Sequence, residues 1–148
     1  LQPVRGDDRS ALRRRWAVVL GGIGDAARAA GQPQRAIEAY VAALEVAPAE
    51  PLLLLNLGRA RATQGDLAGA VAAYRQSLQH DPRPYLAEVN LGNALDQQGD
   101  TTGAVAAYRR AIAVDPTVAQ PLARVTARGG RLAPEGGDGG DDAIPTVG

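Results

Sequence analysis

The chain contains no cysteine, methionine, phenylalanine or lysine, and it has one histidine. Without cysteine there is no disulfide scaffold, no thiolate-bound zinc or iron–sulfur cluster and no thiol nucleophile. The lone histidine, His80, excludes any site built on a histidine pair. Ser10 and Ser77 are the only serines, which leaves little room for serine chemistry. No apolar run reaches the roughly 20 residues that a spanning helix needs. Arg13 to Leu20 imitates the basic-then-apolar start of a signal peptide, but Gly21 and Gly22 follow at once and Asp25 closes the run. All 16 basic residues are arginine, a bias we read as the coding preference of a GC-rich, bacterial genome. The chain begins at Leu1 and holds no Met, from which we expect a processed chain or a fragment of a longer one.

What is present is balanced but unevenly placed. Sixteen acids match the sixteen arginines. Residues 1–16 carry five Arg against Asp7 and Asp8, residues 17–128 carry ten of each sign, and residues 129–148 carry Arg131 against Glu135, Asp138, Asp141 and Asp142. A neutral central part lacks the basic face of a nucleic-acid binder, so none is expected as a partner. The Arg13–Arg15 cluster is read as a solvated flank rather than a phosphate or lipid contact. The run from Glu135 to Asp142 is too rich in Gly and Asp to fold or to preorganise a calcium site.

The central part repeats itself with a period of 34 residues, in windows 17–50, 51–84 and 85–118. Gly24, Gly58 and Gly92 share the eighth position, and Gly31, Gly65 and Gly99 the fifteenth. Ala36, Ala70 and Ala104 share the twentieth, while Tyr40, Tyr74 and Tyr108 coincide four residues later. Pro48, Pro82 and Pro116 close the windows, and no gap is needed. Within one window, Leu54, Leu57, Gly58 and Arg61 fall on a single helical stripe. Gly65 then supplies a turn and Asp66 a cap for a second helix through Ala70, Val71, Tyr74, Ser77 and Leu78, which ends before Pro82. Each window therefore predicts a hairpin of two helices, each about 14 residues long, with small residues bringing the axes together and Leu54, Leu57 and Tyr74 filling the space around them.

These columns resemble the tetratricopeptide repeat (TPR) family over residues 17–118. The resemblance implies an all-α fold, a right-handed α-solenoid of three hairpins with a short capping helix at 119–128, where Leu122 and Val125 continue the inward phase. Residues 1–16 are expected to form a basic flank and 129–148 a disordered tail. The chain departs from the family pattern at Leu20 and Glu88, which take a position often held by Trp, and at Arg61, which replaces a large apolar residue. Gly21 and Gly22 fall in mid-helix, where each costs about 1 kcal/mol against Ala, so the first unit is expected to be the loosest.

By the same resemblance, the first helices of the hairpins line a concave groove. Position two gives Val18, Leu52 and Leu86; position five gives Gly21, Leu55 and Val89. Position six gives Gly22, Asn56 and Asn90, and position nine Asp25, Arg59 and Asn93. Positions twelve and thirteen give Arg28, Ala29, Ala62, Thr63, Asp96 and Gln97. An amide side chain both donates and accepts, so Asn56 and Asn90 are expected to hold a peptide backbone while Leu52, Leu55, Leu86 and Val89 take its apolar side chains. Arg59, Asn93 and Gln97 complete the expected groove. The segments "NLGNAL" and "AVAAYRRAI" resemble repeats of O-linked N-acetylglucosamine transferases, in which such an asparagine ladder occurs; the alternative is that Asn merely suits a helix surface.

A carboxylate clamp for chaperone tails would want Lys or Arg where this chain has Gly21, Leu86 and Asn90, and Asn where it has Asp25. Only Asn56 fits. The string from Gly22 to Ala27 imitates a dinucleotide fingerprint, but Gly24 belongs to the repeat column and no acid-bearing second strand follows. His80, beside Asp81, is read as a solvated helix-end residue. The expectation is a non-catalytic scaffold without cofactor or metal, binding a protein or peptide partner, with the cytoplasm favoured and the oligomeric state open. The alternative is the repeat segment of a larger enzyme, such as a glycosyltransferase or sulfotransferase.

Overall fold

A computed structural model describes residues 6–115. The expected capping helix at 119–128, the tail and Pro116 lie outside the described residues. Six helices follow one another as three hairpins: α1 (Gly6–Ala29) with α2 (Pro33–Val46), α3 (Pro51–Thr63) with α4 (Leu67–His80), and α5 (Tyr85–Gln97) with α6 (Thr101–Val114). Neighbouring hairpins stack through α2 on α3 and α4 on α5. Among the described residues there is no strand.

The turn inside each hairpin is the same device repeated. Gly31, Gly65 and Gly99 adopt left-handed φ values of 71°, 84° and 84°, a region closed to most side chains. Around Gly65 two bonds close the helix end, Gly65 N–H to the Ala62 carbonyl at 3.0 Å and Asp66 N–H to the Arg61 carbonyl at 3.0 Å. Gly99 and Asp100 repeat both bonds onto Asp96 and Leu95, and Gly31 and Gln32 onto Arg28 and Ala27. The residue that closes one helix then starts the next. Asp66 and Asp100 each accept a hydrogen bond at 2.9 Å from the backbone N–H three residues on. Gln32 makes no such cap, and Pro33 starts α2 instead.

The glycine of position eight is a packing device. Its absent side chain makes room for the tyrosine ring of the same hairpin: a Cβ on Gly24 or Gly92 would lie 2.5 Å from Cε1 of Tyr40 or Tyr108, and Gly58 meets Tyr74 in the same way. Tyr40, Tyr74 and Tyr108 are all buried, with Leu54, Leu57, Leu91 and a population of small alanines around them. Ser77 stands where the other hairpins have Ala43 and Ala111. Its buried hydroxyl donates to the Pro51 carbonyl at 2.8 Å, tying α4 to the start of α3.

The departures from the repeat pattern have local solutions. Arg61 reaches the Gly69 carbonyl at 3.4 Å. Glu88 is 6% exposed and pairs with Arg110 at 2.8 Å, but its second oxygen finds no partner among the described residues. The basic flank is not separate from the fold: α1 starts at Gly6, eleven residues before the first window. Ala11, Leu12 and three consecutive arginines favour helix, and Asp8 stands in its first turn, where negative charge suits the helix dipole. The helix also continues through Gly21 and Gly22 without a break. Gly21 is buried, and the Leu53 side chain fills the place its Cβ would take.

Candidate functional site

The first helices α1, α3 and α5 present two clefts. The first, of about 470 Å³, lies between α1 and α3 and is walled by Val18, Gly21, Gly22, Leu52 and Leu53, with Asn56, Arg14, Asp25 and Glu50 at its edges. The second, of about 350 Å³, spans α1, α3 and α5 and is lined by Arg28, Arg59, Ala62, Thr63, Tyr74, Asn90, Asn93, Ala94 and Gln97. One cleft is apolar with mixed charges around it. The other holds two guanidinium groups and no carboxylate.

The tyrosine column connects the core to this surface. Each ring is buried beside its glycine, and its hydroxyl points toward position nine of the same hairpin. Tyr40 donates to Asp25 Oδ1 at 2.5 Å and Tyr108 donates to Asn93 Oδ1 at 2.5 Å. In the second hairpin, position nine is Arg59, which can only donate. Tyr74 lines the polar cleft, and its hydroxyl has no hydrogen-bond acceptor engaged among the described residues. Burial is the main cause that pushes the Tyr74 hydroxyl up to about 12, with nearby Arg59 opposing it. Burial, aided by Asp96, likewise pushes Tyr108 up to about 12. Tyr40 is raised by burial and then by its bond to Asp25. At neutral pH all three are hydroxyl donors.

The expected groove residues do not form one continuous ladder. Asn56 is 7% exposed and opens on the apolar cleft, where its Nδ2 donates to Asp25 at 3.3 Å. Asn90 opens on the polar cleft, where its Nδ2 donates to the Leu86 carbonyl of its own helix at 2.8 Å. Each amide thus has one N–H committed within the protein, and the two sit in different clefts. Arg59, Asn93 and Gln97 come together in the polar cleft.

Leu52 is exposed and walls the apolar cleft, whereas Leu86 is exposed but lines neither of the two clefts. Leu55 requires correction: it is 5% exposed and belongs to the core with Val71, Tyr74, Ala87 and Leu91. Position five faces the next hairpin: Leu55 shares a buried cluster with Ala87, and Gly21 is buried where the Leu53 side chain fills the place of its Cβ. Val89 is half-buried against the same core. The place of Tyr74 in the cleft lining was not read from the sequence. Its signal was the arginine at position nine, which removes the acceptor that Asp25 and Asn93 supply elsewhere.

Gly22 to Ala27 lie wholly inside α1, so the dinucleotide-like string is helix rather than a strand-to-helix loop. His80 is exposed at the last turn of α4. No helix among the described residues is long and apolar enough to cross a membrane.

A family model described as "Tetratricopeptide repeat" matches residues 22–87, 69–119 and 89–133, together most of the chain. No curated protein matches by sequence. Among solved structures, the second TPR domain of human RPAP3, in complex with the HSP70 peptide SGPTIEEVD, is 20% identical with a TM-score of 0.73, covering 78% of this chain and 96% of that one. The Sgt2 TPR domain from Aspergillus fumigatus is 26% identical with a TM-score of 0.66, covering 89% and 93%. The MamA protein is 27% identical with a TM-score of 0.67, covering 78% and 64%.

Proposed function

This chain belongs to the tetratricopeptide repeat family, and from that premise we propose that it is a non-catalytic interaction module that takes an extended, acceptor-rich segment of a partner protein in its concave groove. The observation that carries the reading is the polar cleft, where Arg28, Arg59 and the unengaged Tyr74 hydroxyl offer donors and no lining residue offers a carboxylate. Such a cleft suits a carboxylate or a row of peptide carbonyls. The neighbouring apolar cleft, walled by Val18 and Leu52, takes an apolar side chain of the same segment. Asn90 and Gln97 supply amide contacts beside the arginines, in keeping with the local likeness to O-linked N-acetylglucosamine transferase repeats. The chaperone-peptide complex of the RPAP3 domain supports peptide binding as the mode. It does not carry over the partner, because the clamp positions here hold Gly21, Asp25, Leu86 and Asn90.

The test uses fluorescein-labelled extended peptides that carry one Leu and one Glu separated by Gly-Ser spacers of increasing length, with Lys replacing Glu in a matched set. Polarisation is expected to show binding of Glu peptides at one preferred spacer and at least tenfold weaker binding of Lys peptides. Arg59→Glu is expected to reverse that order. Equal affinity for both sets would contradict the anionic reading of the cleft.

A further inference from the structure

On the side of α1 away from its own hairpin partner, four large apolar residues stand exposed in a row. Leu12 is 47% exposed, Trp16 60%, Val19 54% and Ile23 53%. Their spacing of four, three and four residues is the seam of a two-helix coiled coil. None of them lines either groove cleft. The opposite face of the same helix, at Ala17, Gly21 and Gly24, is buried.

The repeat register says what kind of surface this is. Val19 and Ile23 hold positions three and seven. The same positions in the second hairpin are Leu53 and Leu57, which pack against Ala36, Tyr40, Ile37 and Leu44 of α2. In the third they are Ala87 and Leu91, which pack against Ala70, Val71 and Tyr74 of α4. The stripe therefore continues the face by which every other first helix stacks on a neighbour.

A preceding hairpin of the usual form does not fit it. The equivalents of Trp16 are Glu50 and Pro84, which lie in connecting loops, and those of Leu12 are Val46 and His80, which end the preceding helices. In α1 these places are continuous helix, so the chain does not turn back there to a second helix stacked in register. Stacked in the register of α2 on α3, a preceding helix covers the footprint of Val19 and Ile23, while Leu12 lies about 10 Å further along the axis than Val19, where the equivalent residues Val46 and His80 end their own helices.

We infer that this face pairs with the α1 of a second copy of the chain, antiparallel, about a two-fold axis between Ala17 and Val18. In that register Leu12 meets Ile23 of the other copy and Trp16 meets Val19, so the four-residue seam is complementary to itself. Charge selects the direction. Arg9, Arg13 and Arg15 all lie in the N-terminal half of α1, and from Trp16 to Ile23 the helix carries no charge. A parallel pair sets arginine against arginine. The antiparallel pair sets Arg13 and Arg15 against the uncharged stretch of the partner helix and Arg9 near its negative C-terminal end. The groove stays open in this arrangement, because Val18 and the clefts lie on another side of α1.

Sedimentation of the full 148-residue chain over a concentration series is expected to give a species of twice 15.3 kDa. Trp16→Asp with Val19→Asp is expected to raise the dissociation constant at least a hundredfold at unchanged helicity by circular dichroism. Because the chain lacks cysteine, direction is tested by an equimolar mixture of Arg9→Cys and Ala26→Cys chains under mild oxidation. The antiparallel pair joins one to the other; a parallel pair joins each to itself and overturns the arrangement. A chain that stays monomeric at every concentration and forms no cross-link overturns the inference. So does a monomer that binds phosphatidylglycerol vesicles through the same stripe, which assigns the face to a lipid surface.

Discussion

The second hairpin and its two neighbours share one packing unit and differ at position nine beside it. In all three, a tyrosine ring fills the space left by a glycine across the hairpin. In the first and third, the hydroxyl of that tyrosine is bonded by Asp25 or Asn93. In the second, Arg59 replaces the acceptor, and the donor that is bonded internally elsewhere has no acceptor engaged where Tyr74 lines the polar cleft. A repeat protein can thus change what its groove offers without touching its packing, because ring and hydroxyl of one side chain belong to different regions.

The largest test of the shared half is alkaline pH. Tyr74 and Tyr108 ionise near 12 in the folded chain against 10.0 when unfolded. Their folded values are raised, so the stabilisation is complete below pH 10 and is lost as pH rises from 10 to 12, by about 2 to 3 kcal/mol for each tyrosine. Tyrosinate absorbance followed beside circular dichroism should show ionisation and helix loss together in that window.

Next comes the glycine column. Gly58→Ala drives a methyl into the Tyr74 ring and is expected to cost about 3 kcal/mol in urea unfolding. Gly22→Ala meets nothing within 4 Å and is expected to stabilise α1 by about 0.5 to 1 kcal/mol. Two glycines on first helices would then have opposite signs.

A smaller effect is expected at Glu88, which lacks a partner for one buried oxygen where the second hairpin has buried Leu54. Glu88→Leu is expected to raise stability by about 1 kcal/mol, measured by thermal unfolding. Arg110→Ala, which strands the carboxylate, is expected to lower it.

Much of the scaffold was legible because it rests on residues with one physical use each. Glycines that need left-handed φ or must admit a ring, aspartates that cap, and prolines that close a window all announce themselves in a single sequence. The groove was less legible. Position numbers put Arg59, Asn93 and Gln97 on one surface, and the three line one cleft, yet they also put Leu55 there, whereas it is buried in one cluster with Ala87 of the next hairpin. They also could not show that Asn56 and Asn90 each bond within the protein. The length of α1 was hidden for another reason: residues 6–16 lie outside the repeat, and no column marked them as helix.

The claim that the second hairpin's hydroxyl serves a ligand, while its neighbours' serve the fold, is tested most directly by two conservative substitutions. Tyr74→Phe and Tyr108→Phe each remove one oxygen, and each is measured for unfolding free energy and for affinity toward the Leu–Glu peptide. Tyr74→Phe is expected to weaken binding about fivefold with stability unchanged, and Tyr108→Phe to cost about 1 kcal/mol of stability with affinity unchanged. Unaltered peptide affinity in Tyr74→Phe, together with a loss of stability equal to that of Tyr108→Phe, would contradict the claim.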